Sequence, residues 1–148
     1  MTPPRTSDIQ IQACRLFAEA IDREADGEFL AAEALYTVAA ELGYSLAMNN
    51  LAILIEDVIT PARPAAAVYW LKRAVAAGYD EAAWNLAMRQ RLAGRRRWYV
   101  HWLRIARDLG HAEAADVLPT AESPGGRWWV IDGVSPPPFI RGPRLVQP

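Results

Sequence analysis

One cysteine, Cys14, and two histidines, His101 and His111, are all the soft metal-ligating side chains in this 148-residue chain. A lone cysteine excludes an intrachain disulfide and any cysteine-built metal site, and it suits a reducing, cytoplasmic setting. No apolar run is long enough to span a bilayer, so no membrane partner is expected. Met1 to Asp8 is polar and proline-rich, without a positive stretch leading into an apolar core, which predicts no secretory leader. Gly125-Gly126 runs into Arg127-Trp128-Trp129 and not into a helix start, so a phosphate-cradling loop is absent. No Ser/His/Asp or Cys/His arrangement is readable. Cys14 lies far along the chain from both histidines and is expected to be a small buried apolar residue. Glu56-Asp57 is a carboxylate pair, but adjacent residues on a helix diverge and no second pair completes a metal set. Each histidine is expected to pack at a helix boundary or reach solvent. These absences predict no catalytic residue, no metal and no cofactor.

What the chain has in abundance is alanine, 27 residues of it, in a repeated pattern. Alanine, glycine, alanine and leucine recur at intervals of four in Ala39-Gly43-Ala47-Leu51, Ala74-Gly78-Ala82-Leu86 and Ala106-Gly110-Ala114-Leu118. The glycines stand 35 and then 32 residues apart. A period of this size marks stacked helical hairpins, no one of which can bury its apolar face alone. The flanks match as well. Leu35, Trp70 and Trp102 stand eight residues before each glycine, followed by Tyr36, Leu71 and Leu103; just after each glycine comes Tyr44, Tyr79 or His111. Each copy therefore reads as a helix, a glycine stop and a second helix.

Along the chain, Ser7 with Gln10 is the expected capping box of a first helix, whose stripe is Ile9, Ala13, Leu16, Phe17, Ala20 and Ile21. After the Asp26-Gly27 turn, a second helix from about 28 to 42 is expected to bury Leu30, Ala31, Ala34, Leu35, Val38 and Leu42. Ser45 is the expected cap of a third, which carries Leu46, Ala47, Leu51, Leu54 and Ile55. A linker from Val58 leads to Pro64, which suits the first turn of a fourth helix burying Ala67, Trp70, Leu71, Ala74 and Val75. Asp80 is expected to cap a fifth, with Ala83, Trp84, Ala87 and Met88 inward, before Gly94 breaks the chain. Trp98, Trp102, Ile105 and Leu109 line a sixth. A seventh, Ala112 to Leu118, covers the open end and stops at Pro119. Residues 119–148 hold seven prolines and four glycines yet also Trp128, Trp129, Val130, Ile131, Phe139 and Ile140. That apolar content predicts an extended segment lying along the helices, with one of the paired tryptophans packed inward. The expected organisation is thus an all-α, right-handed α-solenoid of three degenerate helix-turn-helix repeats over 1–118, with an extension over 119–148.

The net charge of −1 conceals a strong asymmetry. Residues 1–57 carry ten acidic and three basic side chains, residues 58–107 ten basic and two acidic. Arg89, Arg91, Arg95, Arg96, Arg97, Arg104 and Arg107 fall within nineteen residues that contain no acid, interleaved with Trp98, Tyr99 and Trp102. Such a patch suits an acidic protein or peptide, a nucleic-acid backbone, or simply a solvated face partly paired with the C-terminal segment. Asn50 and Asn85 occupy one repeat position on helices expected to line a concave groove. There their amides could hold a peptide backbone through donor and acceptor together, or bond between repeats.

Period, small-residue pattern and aromatic-rich second helix resemble the Sel-one-like repeat family, relatives of the tetratricopeptide repeats. The best copy is Ala67-Val68-Tyr69-Trp70-Leu71-Lys72-Arg73-Ala74-Val75-Ala76-Ala77-Gly78, followed by Ala82 and Leu86, with Gly43 and Gly110 anchoring the others. Leu51-Ala52 and Leu86-Ala87 replace the family's Leu-Gly, and Asp57 to Pro61 replaces its glycine-rich turn. The resemblance covers about 8–118 and implies an adaptor or scaffold, that is, binding without chemistry. The expected function is a protein–protein interaction module whose partner is another protein or peptide. Its expected contact residues are Asn50, Asn85, Arg89, Arg95, Arg96 and Arg97. An immunity-type or antitoxin protein that covers a toxic enzyme is the sharper form. A nucleic-acid-associated factor using Arg89–Arg107 is the alternative, and an enzyme a remote one.

Overall fold

A computed structural model of the chain describes residues 4–128. Within them lie seven α-helices and no strand, as the all-α expectation requires. They are α1 (Thr6–Ala25), α2 (Phe29–Glu41), α3 (Ser45–Ile53), α4 (Pro64–Ala76), α5 (Asp80–Leu92), α6 (Arg96–Asp108) and α7 (Ala112–Glu122). A π-helical turn, Leu54–Val58, prolongs α3. The chain divides into two compact units between Tyr79 and Asp80, inside the stretch expected as one repeat domain. In the first, α1 packs on α2, α2 on α3 and α3 on α4; in the second, α5 packs on α6 and α6 on α7.

The repeated quartets carry this packing. At Gly78 the backbone turns to φ +87°, its N–H bonds Val75 O at 2.8 Å, and the Tyr79 N–H reaches back to Ala74 O at 3.0 Å. This pair of bonds satisfies the last carbonyls of α4, and a Cβ at that φ would be strained. The same two bonds recur at Gly43, to Ala40 and Ala39, and at Gly110, to Arg107 and Ala106. Every alanine and leucine of the three quartets is buried. A methyl side chain lets neighbouring helices approach closely. The larger volume is supplied by Tyr36, Leu71 and Leu103, which occupy one repeat position and are all buried.

Several local expectations need correction. On α2 the inward line is Ala32, Tyr36, Ala39 and Ala40, whereas Leu30 and Val38 are exposed, as are Ala31 and Ala34. Three of the five alanines, with Tyr36, face the neighbouring helices in place of the aliphatics. Ala13 likewise takes the core position on α1, which turns Cys14 out to an exposed site and leaves Ile21 partly exposed. α1 opens at Thr6, and Asp8 accepts the Arg5 N–H at 3.3 Å in place of the Ser7–Gln10 box. Ser45 and Asp80, expected as caps, are the first residues of α3 and α5. On α6 the buried residues are Tyr99, Leu103 and Ala106, while Trp98 and Leu109 are exposed. α7 continues through Pro119 for another turn, to Glu122. α7 thus takes in the first residues, Pro119 to Glu122, of the stretch expected as an extension. Trp128 is buried, and Trp129 with the rest of the chain to Pro148 lies outside the described residues.

Candidate partner-binding surfaces

The arginine-rich stretch spans the end of α5 and all of α6, and it separates into engaged and free cations. Arg96 donates to the carbonyls of Ala121 at 3.0 Å and Ser123 at 2.7 Å, closing the C-terminus of α7 where basic groups are favoured. Arg104 pairs with Glu122 at 2.7 Å and Arg107 with Asp108 at 2.8 Å. Arg91 is half-buried; burial holds its guanidinium below the usual arginine range, and the nearby Tyr99 acts in the opposite sense. Its Nε and the Gln90 Oε1 are buried without a hydrogen-bond partner among the described residues. Arg89 is half-buried on the same helix. Arg95 and Arg97 are exposed, and neither forms an ion pair among the described residues. Of the expected contact residues, these two make no ion pair among the described residues, whereas Arg96 is committed within its unit.

Beside them the outer side of α6 is aromatic. Trp98 is 52% exposed, and its ring meets His101 edge-on at 5.5 Å; His101 in turn meets the half-buried Trp102 at 5.1 Å. On the inner side, Tyr99 contacts Trp128 at 5.8 Å, which fixes the chain after α7 against α6. Burial pushes the Tyr99 hydroxyl up to about 12, with Arg91 pulling the other way. Gly126 makes this return possible: a Cβ there would lie 2.3 Å from the Thr120 carbonyl.

His111 is fully occupied. Its Nδ1 accepts the Ala114 N–H at 3.2 Å, capping α7. That leaves the ring proton on Nε2, which lies 3.2 Å from Glu81 Oε2, and the ring stacks on Trp84 at 4.8 Å and 11°. A histidine with both nitrogens used this way is a structural cap, as the boundary reading expected.

In the first unit, Tyr36 joins three helices. Its hydroxyl donates to Glu24 of α1 at 2.6 Å and also bonds the Asn50 side chain of α3. Burial, then the Glu24 bond, push its pKa up to about 12, against the effect of Asn50. Phe17 packs on Tyr36 at 5.8 Å and on Tyr44 at 5.1 Å. Burial and a bond to Cys14 raise Tyr44 as well. Asn50 is thus half-buried and engaged at an inter-helix node. Asn85 is half-buried on α5, in the other unit. The neighbouring Asn49, not singled out in the sequence, is the buried asparagine; α3 is covered on most sides, which no single-face pattern signals. On α4, Arg73 lies over the Trp70 ring at 5.1 Å and the Tyr69 ring at 5.8 Å. A cleft of about 600 Å³ runs between the start of α1 and the turn into α3, lined by Ile9, Ile11, Cys14, Leu42 and Tyr44 among others.

Among the described residues no helix is long and apolar enough to cross a membrane, and no three His, Cys, Asp or Glu side chains gather as a metal set. Comparison with protein families, with curated proteins and with solved structures finds no match to this chain.

Proposed function

We propose that this chain is a non-catalytic protein–protein interaction module, an adaptor built as a right-handed solenoid of Sel-one-like hairpins. The observation that carries the reading is the outer side of α6. There Arg95 and Arg97, exposed and without an ion pair among the described residues, stand beside the exposed Trp98, whose ring meets His101 and through it Trp102. Arginine and tryptophan are the side chains that most often dominate protein interfaces, because they combine large contact area with directional bonding. A partner with acidic side chains around an apolar pocket fits this face. Nucleic acid is the weaker reading, since Arg96, Arg104 and Arg107 already serve carbonyls or carboxylates of their own unit. The quartets and their turn bonds at Gly43, Gly78 and Gly110 support the solenoid. An immunity-type role, covering a toxic enzyme, is the sharper form of the same reading, and the acidic first unit suits a basic enzyme.

Purification of the tagged chain at about 50 and about 500 mM salt, with mass spectrometry of what it retains, tests this, because screening contracts the Debye length severalfold over that range. A specific protein retained at low salt and lost at high salt is the expected result. Retention of nucleic acid instead, or turnover abolished by His101→Ala in a folded protein, contradicts it.

A further inference from the structure

The described residues hold two unpartnered helix faces of opposite charge. The first is on α1, where Ile11, Cys14, Ala18, Ile21 and Ala25 follow one another at spacings of three and four and are all exposed; Ile11 reaches 52%. Such spacing places them on one stripe of the helix. The stripe borders the 600 Å³ cleft, which Ile11 and Cys14 help to line opposite Leu42 and Tyr44. From Thr6 to Glu28 the segment carries six acidic and two basic side chains, Arg15 and Arg23. Arg23 is consumed by Glu19 and Glu28. The carboxylates of Asp22 and of Glu41, which precedes the lining Leu42, are exposed and make no ion pair among the described residues.

The second face is the outer stripe of α6: Trp98, Trp102, Ile105 and Leu109, of which Trp98 and Leu109 are exposed. From Arg95 to Leu109 there are five basic side chains and one acid. The first unit over residues 4–79 holds ten acidic against six basic residues, and the second over 80–128 holds eight basic against six acidic. Each face therefore displays what the other lacks.

We infer that a second copy of this chain docks head to tail: the Trp98 indole of one copy enters the α1 cleft of the next, and Arg95 and Arg97 face the acidic side chains of that unit, Glu41 beside the cleft among them. An α1–α1 pairing is disfavoured because it opposes like charges, as is an α6–α6 pairing. The contact is heterologous, since each copy offers one donor face and one acceptor face, so association can continue beyond a dimer. Two helices of 13 and 20 residues offer only a small shared surface, which places the contact among weak, reversible ones. The inference rests on the binding-module reading and names its partner as the chain itself.

Sedimentation velocity on the full chain tests it, with the exposed-residue variants Ile11→Arg and Trp98→Ser and far-UV circular dichroism to confirm unchanged helicity. Over about 1–500 μM at 50 mM salt the wild type should shift from monomer to larger species, and about 500 mM salt should reverse the shift. Each variant alone should lose at least tenfold in association. An equimolar mixture of the two should form a 1:1 heterodimer and nothing larger, because one intact cleft and one intact indole remain. A wild type that stays monomeric, a Trp98→Ser protein that associates like wild type, or a mixture that does not pair overturns the inference. A monomeric chain that still retains a foreign protein also overturns it, while leaving the binding-module reading standing.

Discussion

Gly78 shows how little freedom the repeat leaves at single positions. A Cβ placed there meets no atom within 4 Å, so the cost of a side chain is one of backbone conformation alone. Gly78→Val should cost about 2 kcal/mol, within the range for strained left-handed residues, and lower the melting temperature by several degrees. An unchanged thermal melt would show that the end of α4 does not depend on the left-handed turn at Gly78. The buried tyrosines give a second residue-scale prediction. Tyr36 and Tyr99 titrate near 12 in the folded chain, above the ordinary value of about 10. A raised folded pKa means that their contribution is whole below pH about 10 and is lost as pH climbs towards 12. Urea midpoints should therefore fall across that window, and Tyr36→Phe should flatten the fall while losing the Glu24 bond at every pH. The glycine positions were legible in the sequence because turn chemistry is local. The exposure of Cys14 was not, because Ala13 and Cys14 are both small, apolar and adjacent, and only packing decides which of them points inward.

Helices were legible as elements; their rotation was not always so. The core of this chain is made of methyl groups, and periodicity of large aliphatics misassigned α2, where Leu30 is 74% exposed while Ala32 and Ala39 are fully buried. Close approach of backbones, not side-chain volume, selects the inward face there. The run of α7 past Pro119 was hidden for a different reason. Proline breaks the local ladder, and the carbonyls of the following turn are held by Arg96 from a helix 25 residues earlier, a contact that local pattern cannot reveal. The return of the chain from α7 to Tyr99 makes its own prediction. Gly126→Ala must displace the Thr120 carbonyl or the turn itself, so Trp128 should leave its buried site. A red-shifted tryptophan emission with unchanged far-UV circular dichroism is expected, and an unshifted spectrum would contradict the close approach.

For the whole molecule, charge asymmetry was plain in the sequence, and the division at Tyr79 and Asp80 assigns its two signs to different compact units. What the sequence did not disclose is how the arginines divide. Seven lie in nineteen residues, yet Arg96 and Arg104 are spent on the end of α7, and the two exposed ones without an ion pair among the described residues, Arg95 and Arg97, adjoin Trp98. The proposed binding face is therefore narrower than the composition suggested, while Asn50 lies beside Tyr36 between helices. The most direct measurement compares proteins retained by the tagged wild type with those retained by an Arg95→Glu, Arg97→Glu, Trp98→Ala variant of equal helicity. The α6 face predicts that the partner held by wild type is absent from the variant but kept by Asn50→Ala. A partner retained in full by the triple variant would contradict it.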